Sequence, residues 1–435
     1  MVKPPHARIP ARFWSGVTAA GAVFLGFAGV GSGHLAAEPV QLSGGVESRF
    51  SDNMRRSSSN EESDIETRAN VTVGYAGDTG TCQTDLGGTL GYSYWLDDTY
   101  DPELDAELSL FSACELAQGF SWEVEDNLRE VLITTQQAST PNNITRKNIF
   151  STGPVYNLNL TERDQLNLRA RFENTEFEDD VQADSNRLTG TVGWNHLFSQ
   201  TLNGGLSFNT SRTEYDNDIE FDRNTASINF TNLWPATRLT GSLGISELES
   251  KYPSGTQTSD GFVGSLSVTR EINPSADAYL ELSRELTDQT SDFDVRFEEF
   301  SFNLRETTGV EVTLIRLGLN QRFSDGSSVN ASVFADRSDF LRTDEQEDSY
   351  GTDVVYRRPI TPTVDAVFNG RLQHYRYGFD DTNDNLYSFD AGLDYRASRR
   401  VTFRGAIGHE GRESDVSGRE YQENWVLVGI RYSFL

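Results

Sequence analysis

The sequence predicts an all-β fold: a transmembrane antiparallel up-and-down β-barrel of about 20 strands, with short periplasmic turns and long acidic extracellular loops. Three observations lead to this prediction. Apolar and polar residues alternate with a period of two in many segments, and short polar breaks recur along the chain. After the N-terminus, no apolar run is long enough for a membrane-spanning helix. A count of 18 strands fits the same pattern.

The C-terminal region shows the alternation most clearly. From Tyr387 to Tyr395, aromatic and aliphatic residues occupy the odd positions, and Ser, Asp or Gly occupy the even positions. A second alternating segment begins at Val401, and the chain finishes on a third from Val426 to Phe434. Each segment predicts a strand with one apolar and one polar face. The last segment predicts the strand that closes a barrel and removes its final edge.

Nine short polar or proline-containing breaks divide the chain into hairpins. They lie at residues 77–80, 117–118, 161–164, 199–201, 235–237, 273–275, 324–326, 359–362 and 397–400. Between successive breaks lie two alternating segments and one longer polar stretch. Because outer-membrane barrels alternate short periplasmic turns with long extracellular loops, these breaks predict ten hairpins with both termini in the periplasm.

The expected extracellular loops are acidic. Five segments are rich in Asp and Glu: residues 57–64, 173–184, 214–222, 336–348 and 379–385. Solvated surface loops explain this composition. Divalent cations that bridge the loops to lipid headgroups are a further interpretation.

Composition excludes several other classes. The chain has 435 residues, a formal net charge of −29 and only 36% hydrophobic residues. So acidic a balance does not suit a nucleic-acid partner. A soluble all-β solenoid or sandwich array is the competing fold. Aromatic residues near strand ends, such as Trp194 and Trp234, favour the membrane barrel, because such residues form girdles at lipid interfaces.

The N-terminal 37 residues differ from the rest. Lys3, Arg8 and Arg12 precede an apolar stretch at residues 17–30, and small residues follow up to Ala37. This order predicts a secretory signal peptide at residues 1–37, cleaved near Ala37, with the barrel at residues 38–435. An N-terminal membrane anchor is the alternative.

Two cysteines, Cys82 and Cys114, flank one predicted hairpin whose tip lies near residues 97–102. Antiparallel register would set them roughly opposite each other, so we expect a disulfide in an oxidising compartment. Two reduced thiols that pack as small apolar groups are the alternative. With so few cysteine and histidine residues, we expect neither a metal site nor a cofactor.

Charged residues on predicted inner faces are candidates for the lining of a pore. Arginine is much more frequent than lysine after the signal peptide, and its guanidinium binds carboxylate and sulfate groups in a fixed geometry. Pairing with inner-face Glu and Asp that braces the wall is the alternative. The candidates are Arg169, Arg171, Glu173, Arg316, Arg322, Arg371, Asp390, Asp394, Arg396, Arg404 and Arg431.

The longest interval between breaks contains a segment, Thr287 to Val310, in which apolar and charged residues interleave. A wall of 20 strands is roughly 40 Å across, too wide for side chains to fill. We therefore expect this segment to fold into or over the lumen as a constriction; the alternative is that it extends the flanking strands outward. The constriction candidates are Phe293, Arg296, Phe297, Glu298, Glu299 and Arg305.

No motif for catalysis occurs. His196, His374 and His409 lie in three distant hairpins, and the chain lacks a nucleophile elbow, zinc spacing and a phosphate loop. We expect a channel for diffusion or export of polar solutes, with saccharides as the expected class, and no enzymatic activity. A non-conducting scaffold or adhesin barrel is the alternative, followed by a barrel enzyme.

The segment Gly44 to Met54, a first strand that runs into an Asp-Asn pair and a polar loop, resembles the N-terminus of outer-membrane β-barrel porins associated with exopolysaccharide biosynthesis and export loci. The layout of signal peptide and acidic barrel is similar over the whole mature chain. This resemblance implies an outer-membrane location, contact with membrane lipid and a polysaccharide partner. Phe434 resembles the terminal aromatic that such barrels present to the barrel-assembly machinery, although Leu435 follows it.

Overall fold

The chain forms one closed antiparallel β-barrel of 20 strands in a computed structural model, which describes residues 40–180, 182–304 and 307–434. Each strand pairs with the next along the chain, and β1 (Gln41–Ser51) also pairs with β20 (Tyr421–Ser433). That closing register runs from Ser43 opposite Ser433 to Ser51 opposite Trp425. The predicted up-and-down barrel and its count of 20 strands are confirmed.

The remaining strands follow in chain order. They are β2 (Asp64–Asp78), β3 (Cys82–Trp95), β4 (Glu103–Ala117), β5 (Phe120–Leu132), β6 (Ile144–Asn159), β7 (Asp164–Phe177), β8 (Ser185–Leu197), β9 (Leu202–Tyr215), β10 (Glu220–Trp234), β11 (Thr237–Tyr252), β12 (Gly255–Asn273), β13 (Ala276–Asp288), β14 (Gly309–Arg322), β15 (Ser328–Phe340), β16 (Glu345–Thr361), β17 (Val364–Tyr377), β18 (Thr382–Arg396) and β19 (Val401–Ser414).

In the part of the chain that the structure describes, helical structure is confined to short pieces. One turn of α-helix, α1 (Phe293–Arg296), and two 3₁₀ turns at Pro141–Asn143 and Ser417–Arg419 occur between strands. Within the described ranges, no helix has the length and apolar character needed to cross a membrane.

The two ends of the barrel differ in their connections. Nine turns of two to five residues lie at one end, which also holds both described termini; we call it the turn end. The other end, the loop end, has ten connections, of which the longest are residues 52–63, 133–143 and 289–308. All nine turns lie at or beside the breaks predicted from the sequence.

Several connections at the loop end are shorter than the acidic segments suggested. Glu214 and Asp222 belong to β9 and β10, which are joined by residues 216–219 alone, and Asp336 and Asp348 belong to β15 and β16. Antiparallel pairing continues past the apolar part of these strands because it satisfies the backbone hydrogen-bonding groups whatever the side chains are. Much of the expected loop charge therefore lies on projecting strand ends.

The outer surface of the barrel is apolar. Large apolar side chains such as Leu243, Phe262 and Ile407 are exposed, with Phe262 72% accessible, and they alternate with inward-facing polar residues. A soluble β-protein would bury this face, because exposed apolar patches of such extent are rare in soluble monomers. The competing soluble fold was therefore wrong. The predicted signal peptide, residues 1–37, lies outside the described residues.

Cys82 and Cys114 lie directly opposite each other in the β3–β4 register and form a disulfide. The bond joins the two strands near the turn end, beside the turns at residues 79–81 and 118–119.

Candidate functional site

The inner wall of the barrel carries the candidate pore-lining residues. These residues lie on the face of each strand that points away from the exposed apolar side chains, because successive side chains of a strand point to opposite faces. The eleven residues found on the inward face are Arg169, Arg171, Glu173, Arg316, Arg322, Arg371, Asp390, Asp394, Arg396, Arg404 and Arg431.

Most of these charges are paired, chiefly with neighbours in the wall and, for Arg316, with Glu299 of the β13–β14 connection. Arg169 lies 3.3 Å from Glu123, and Arg171 lies 3.1 Å from Glu125. Further ion pairs within 3.5 Å are Glu173 with Arg187, Arg316 with Glu299, Arg371 with Asp353 and Arg396 with Asp365. Asp390 accepts hydrogen bonds from Asn369 at 2.8 and 3.1 Å. Bracing of the wall therefore accounts for much of this set.

We call residues 289–308, which connect β13 to β14, the plug segment; its described residues, 289–304 and 307–308, lie inside the barrel. Phe293, Phe300, Phe302 and Leu304 are all at most 3% exposed. They pack against Val310, Val312 and Leu314 of β14, Phe177 of β7 and, at the margin, Val131 of β5 and Phe340 of β15. Because β7 and β14 lie on different sides of the barrel, these apolar side chains are buried inside the lumen.

Lys147 of β6 holds the plug segment to the far wall. This lysine is 1% exposed and donates hydrogen bonds to the backbone oxygens of Gln289 at 2.9 Å and Ser291 at 2.6 Å. Its ammonium also contacts Asp294 Oδ1 at 3.0 Å, and Arg129 lies 3.2 Å from Oδ2 of the same carboxylate. A buried ammonium needs such partners, because its desolvation costs several kcal/mol.

A second buried cluster lies where β13 enters the plug segment. Arg187 of β8 contacts Asp288 and Glu173, each at 2.8 Å. Tyr215 donates its hydroxyl hydrogen to Asp288 Oδ1 at 2.9 Å. The pairing of β13 with β12 stops at Arg284 opposite Gly264, beyond which β13 turns inward and Leu286 packs on Leu248 and Phe221. The chain packed inside the lumen therefore includes strand ends as well as a loop.

The structure places the constriction candidates in two groups. Phe293, Phe297 and Glu299 are buried, whereas Arg296 and Glu298 are exposed. Arg296 pairs with Glu285 at 2.8 Å and Asp292 at 3.2 Å. Arg305 lies outside the described residues.

Burial and nearby arginines shift the titration of two plug carboxylates in opposite directions. Burial raises the pKa of Glu299 above its ordinary 4.5, although Arg316 opposes the shift. Burial also acts on Asp292, but Arg296, Arg171 and other cations outweigh it, so the pKa of Asp292 falls below 3.8. The two residues therefore respond to pH in different ranges.

A second loop, which the sequence analysis did not single out, also crosses the lumen. We call residues 133–143 the uncharged loop, since they contain no charged residue. Thr135 accepts hydrogen bonds on its carbonyl oxygen from Tyr377 at 3.0 Å and Arg412 at 2.9 Å, both on the opposite wall. Leu304 N donates to Ile133 O at 3.0 Å and so joins the plug segment to this loop. The absence of charge in so acidic a chain is the sequence signal that could have indicated its burial.

The turn-end half of the lumen is open by comparison. A cavity of about 960 Å³ lies there, lined by residues of β1, β2, β12–β20 and their turns. Arg322, Arg357, Arg404 and Arg431 line it, together with Asp394. Across the described residues, the only ion pair of these four arginines is that of Arg357 with Asp394, at 4.0 Å.

The three histidines are placed apart from this lumen. His196 contacts Asp164, while His374 and His409 contact Asn385 and Asn424, each at 2.8 Å. Across the described ranges, no group of three or more His, Cys, Asp or Glu residues is arranged to hold a metal ion.

Comparison with known proteins gives one family match. Residues 348–434, from β16 to the end of β20, match the model of a family described as "Putative beta-barrel porin 2". No curated protein matches the chain.

Several solved barrel structures are similar at low identity. The siderophore receptor PirA from Pseudomonas aeruginosa is 11% identical, with 91% of this chain and 80% of the receptor covered and a TM-score of 0.41. The FrpB iron transporter from Neisseria meningitidis (F5-1 variant) is 10% identical, with 91% and 82% covered and a TM-score of 0.45. OpdO from Pseudomonas aeruginosa is 9% identical, with 92% and 98% covered and a TM-score of 0.40. Similarity at this level carries no information about function.

Proposed function

We propose that the protein is an outer-membrane channel for polar solutes, with saccharides as the expected cargo, and that the plug segment sets its conductance. The porin-family match and the exposed apolar band support the outer-membrane location. In that orientation the turn end faces the periplasm and the loop end faces outward, as is usual for such barrels.

The observation that carries the proposal is the plug segment itself. A wall of 20 strands encloses a lumen roughly 40 Å across, which side chains alone cannot fill. Here the described residues of the plug segment, 289–304 and 307–308, occupy that space and leave a polar cavity on the turn-end side. A wide polar lumen narrowed by an infolded loop is the arrangement that a selective diffusion or export channel requires.

The test is single-channel recording in planar bilayers. In the principal variant, Gly-Ser-Gly replaces Asp292 to Thr307. The strand ends on either side of the shortened connection, Asp288 and Gly309, are already paired with each other. We expect the conductance to rise on the order of tenfold, because the unplugged lumen is far wider than any residual path. A matched control removes Ser417–Arg419, a loop-end turn with no buried residue, and should conduct like the wild type.

A non-conducting scaffold or adhesin barrel is the second candidate, and the junction of the plug segment with the uncharged loop favours it. The hydrogen bond from Leu304 to Ile133 joins chain from two sides of the lumen. If the wild type and the plug deletion are both silent in bilayers, the channel proposal is wrong and the scaffold stands.

A further inference from the structure

We infer that the turn-end cavity is a binding subsite for acidic oligosaccharides, that is, for sugars bearing carboxylate groups; this inference rests on the proposed channel function. The cavity of about 960 Å³ is large enough for several sugar rings and is lined by four arginines on four different strands, β14, β16, β19 and β20.

The arginines of this cavity differ in their partners from five inward arginines elsewhere in the barrel. Arg169, Arg171, Arg187, Arg316 and Arg371 each have a carboxylate within 3.5 Å. Arg322, Arg404 and Arg431 have no ion pair among the described residues, although Arg404 lies opposite Asp394 in the β18–β19 register. Their guanidinium groups therefore remain available to a ligand carboxylate, which arginine binds through two parallel hydrogen bonds.

The rest of the lining selects for hydroxyl groups. The cavity also contains the carboxylates Glu47, Glu271, Asp277 and Asp394, of which Asp277 accepts a hydrogen bond from Asn320 at 2.8 Å. A simple inorganic anion would meet these carboxylates as repulsive neighbours. A sugar acid meets both sets, because its hydroxyl groups donate to carboxylates while its own carboxylate accepts from arginine.

The amide side chains of the cavity strengthen this match. Asn70 and Asn330 line it beside Thr269, Ser328 and Thr402. Amides and hydroxyls donate and accept hydrogen bonds, as sugar hydroxyls require. The chemistry of the lining therefore fits a hydroxylated organic anion better than a neutral sugar or a bare anion.

The test is isothermal titration calorimetry on the full folded chain in detergent at low salt, with tri-galacturonate as the probe and maltotriose as its neutral counterpart. The wild type should bind tri-galacturonate more tightly than maltotriose. The triple variant Arg322→Gln, Arg404→Gln, Arg431→Gln should raise the Kd for tri-galacturonate about tenfold or more, since one hydrogen bond to a charged group contributes about that factor.

A matched triple variant provides the control. Arg212, Arg337 and Arg376 lie on the outward face near the loop end, with side chains 51%, 53% and 62% exposed. Their replacement by Gln removes the same charge and should leave the Kd unchanged. Heat-modifiable migration in gel electrophoresis checks that each variant is folded.

The outcomes separate this inference from the channel proposal. Equal binding of both sugars, an unchanged Kd in the cavity variant, or equal loss in the control variant would each overturn the subsite. Conductance without tri-galacturonate binding would support the channel and refute the subsite. Binding without conductance would support the subsite and refute the channel.

Discussion

Arg316 and Arg322 lie on the same face of the same strand, β14, yet their surroundings differ. Arg316, midway along the strand, lies 3.3 Å from Glu299 of the plug segment. Arg322, near the turn end, lines the open cavity and has no ion pair among the described residues. Strand alternation places both side chains on the inner face of the barrel. Their different surroundings therefore come from the plug segment, whose described residues contact Arg316 and not Arg322.

Connection length explains why only one half is filled. A loop that reaches the axis of a barrel roughly 40 Å wide and returns needs about 12 residues at an extended 3.3 Å each. The turns, with two to five residues, cannot reach that far, whereas the plug segment can. The plug segment therefore fills the loop-end half, whereas the turn-end half keeps an open cavity in which Arg322, Arg404 and Arg431 have no ion pair among the described residues.

The largest effect on this contrast should come from Lys147→Met. The substitution leaves Asp294, which is 2% exposed, with Arg129 as its remaining cationic partner, at a cost of roughly 3–5 kcal/mol. We expect the plug segment to detach, which limited trypsin digestion followed by mass spectrometry would detect as new cleavage after Arg296.

Lys251→Met is the matched control for that prediction. Lys251 is the other lysine among the described residues; its side chain is 36% exposed, and it pairs with Asp222 and Glu220 at the surface. Such a pair contributes about 0–1 kcal/mol, so cleavage should stay as in the wild type. Similar cleavage in both variants would break the distinction between a buried anchor and a surface pair.

A smaller effect should follow from Glu299→Gln. Because burial raises the pKa of Glu299, the plugged state binds the proton more tightly than the detached state. The plug is thus most stable at low pH and loses stability as the pH rises above 4.5 through the raised pKa. Each tenfold difference in proton affinity between the two states corresponds to about 1.4 kcal/mol. Conductance should therefore increase over that pH range in the wild type.

Glu299→Gln should flatten this pH profile and hold the conductance near its low-pH value. Asp292 does not contribute in the same range, because its lowered pKa keeps it ionised above pH 3.8. A profile that keeps its slope in the variant would assign the pH response to another group.

The smallest effect on the lumen should come from the disulfide. Peptide mapping of unreduced protein should recover Cys82 linked to Cys114, and reduction should leave the conductance unchanged, because the bond joins strands that stay paired in the wall. Alkylation of both thiols without a reductant would contradict the linkage. A change in conductance on reduction would show that the disulfide affects the open part of the lumen, which contradicts the prediction.

Local residue patterns were sufficient to predict the barrel. Strand pairing needs only a period-two pattern and short turns, both of which are local, so the closing strand from Val426 and all nine turns could be located without coordinates. The same local rule placed Arg316, Arg322 and Arg404 on the inner face. It also indicated that the aromatic residues from Phe293 to Phe302 needed apolar partners.

Which partners those residues found depends on the folded barrel. The contact of Lys147 with Asp294 joins positions 147 residues apart, and Arg412 reaches Thr135 across 277 residues. No local pattern encodes such a pairing, because it depends on which walls of a closed cylinder lie within reach of a crossing loop. The composition of the uncharged loop indicates burial, but its partners Tyr377 and Arg412 are set by the positions of β17 and β19 in the closed wall.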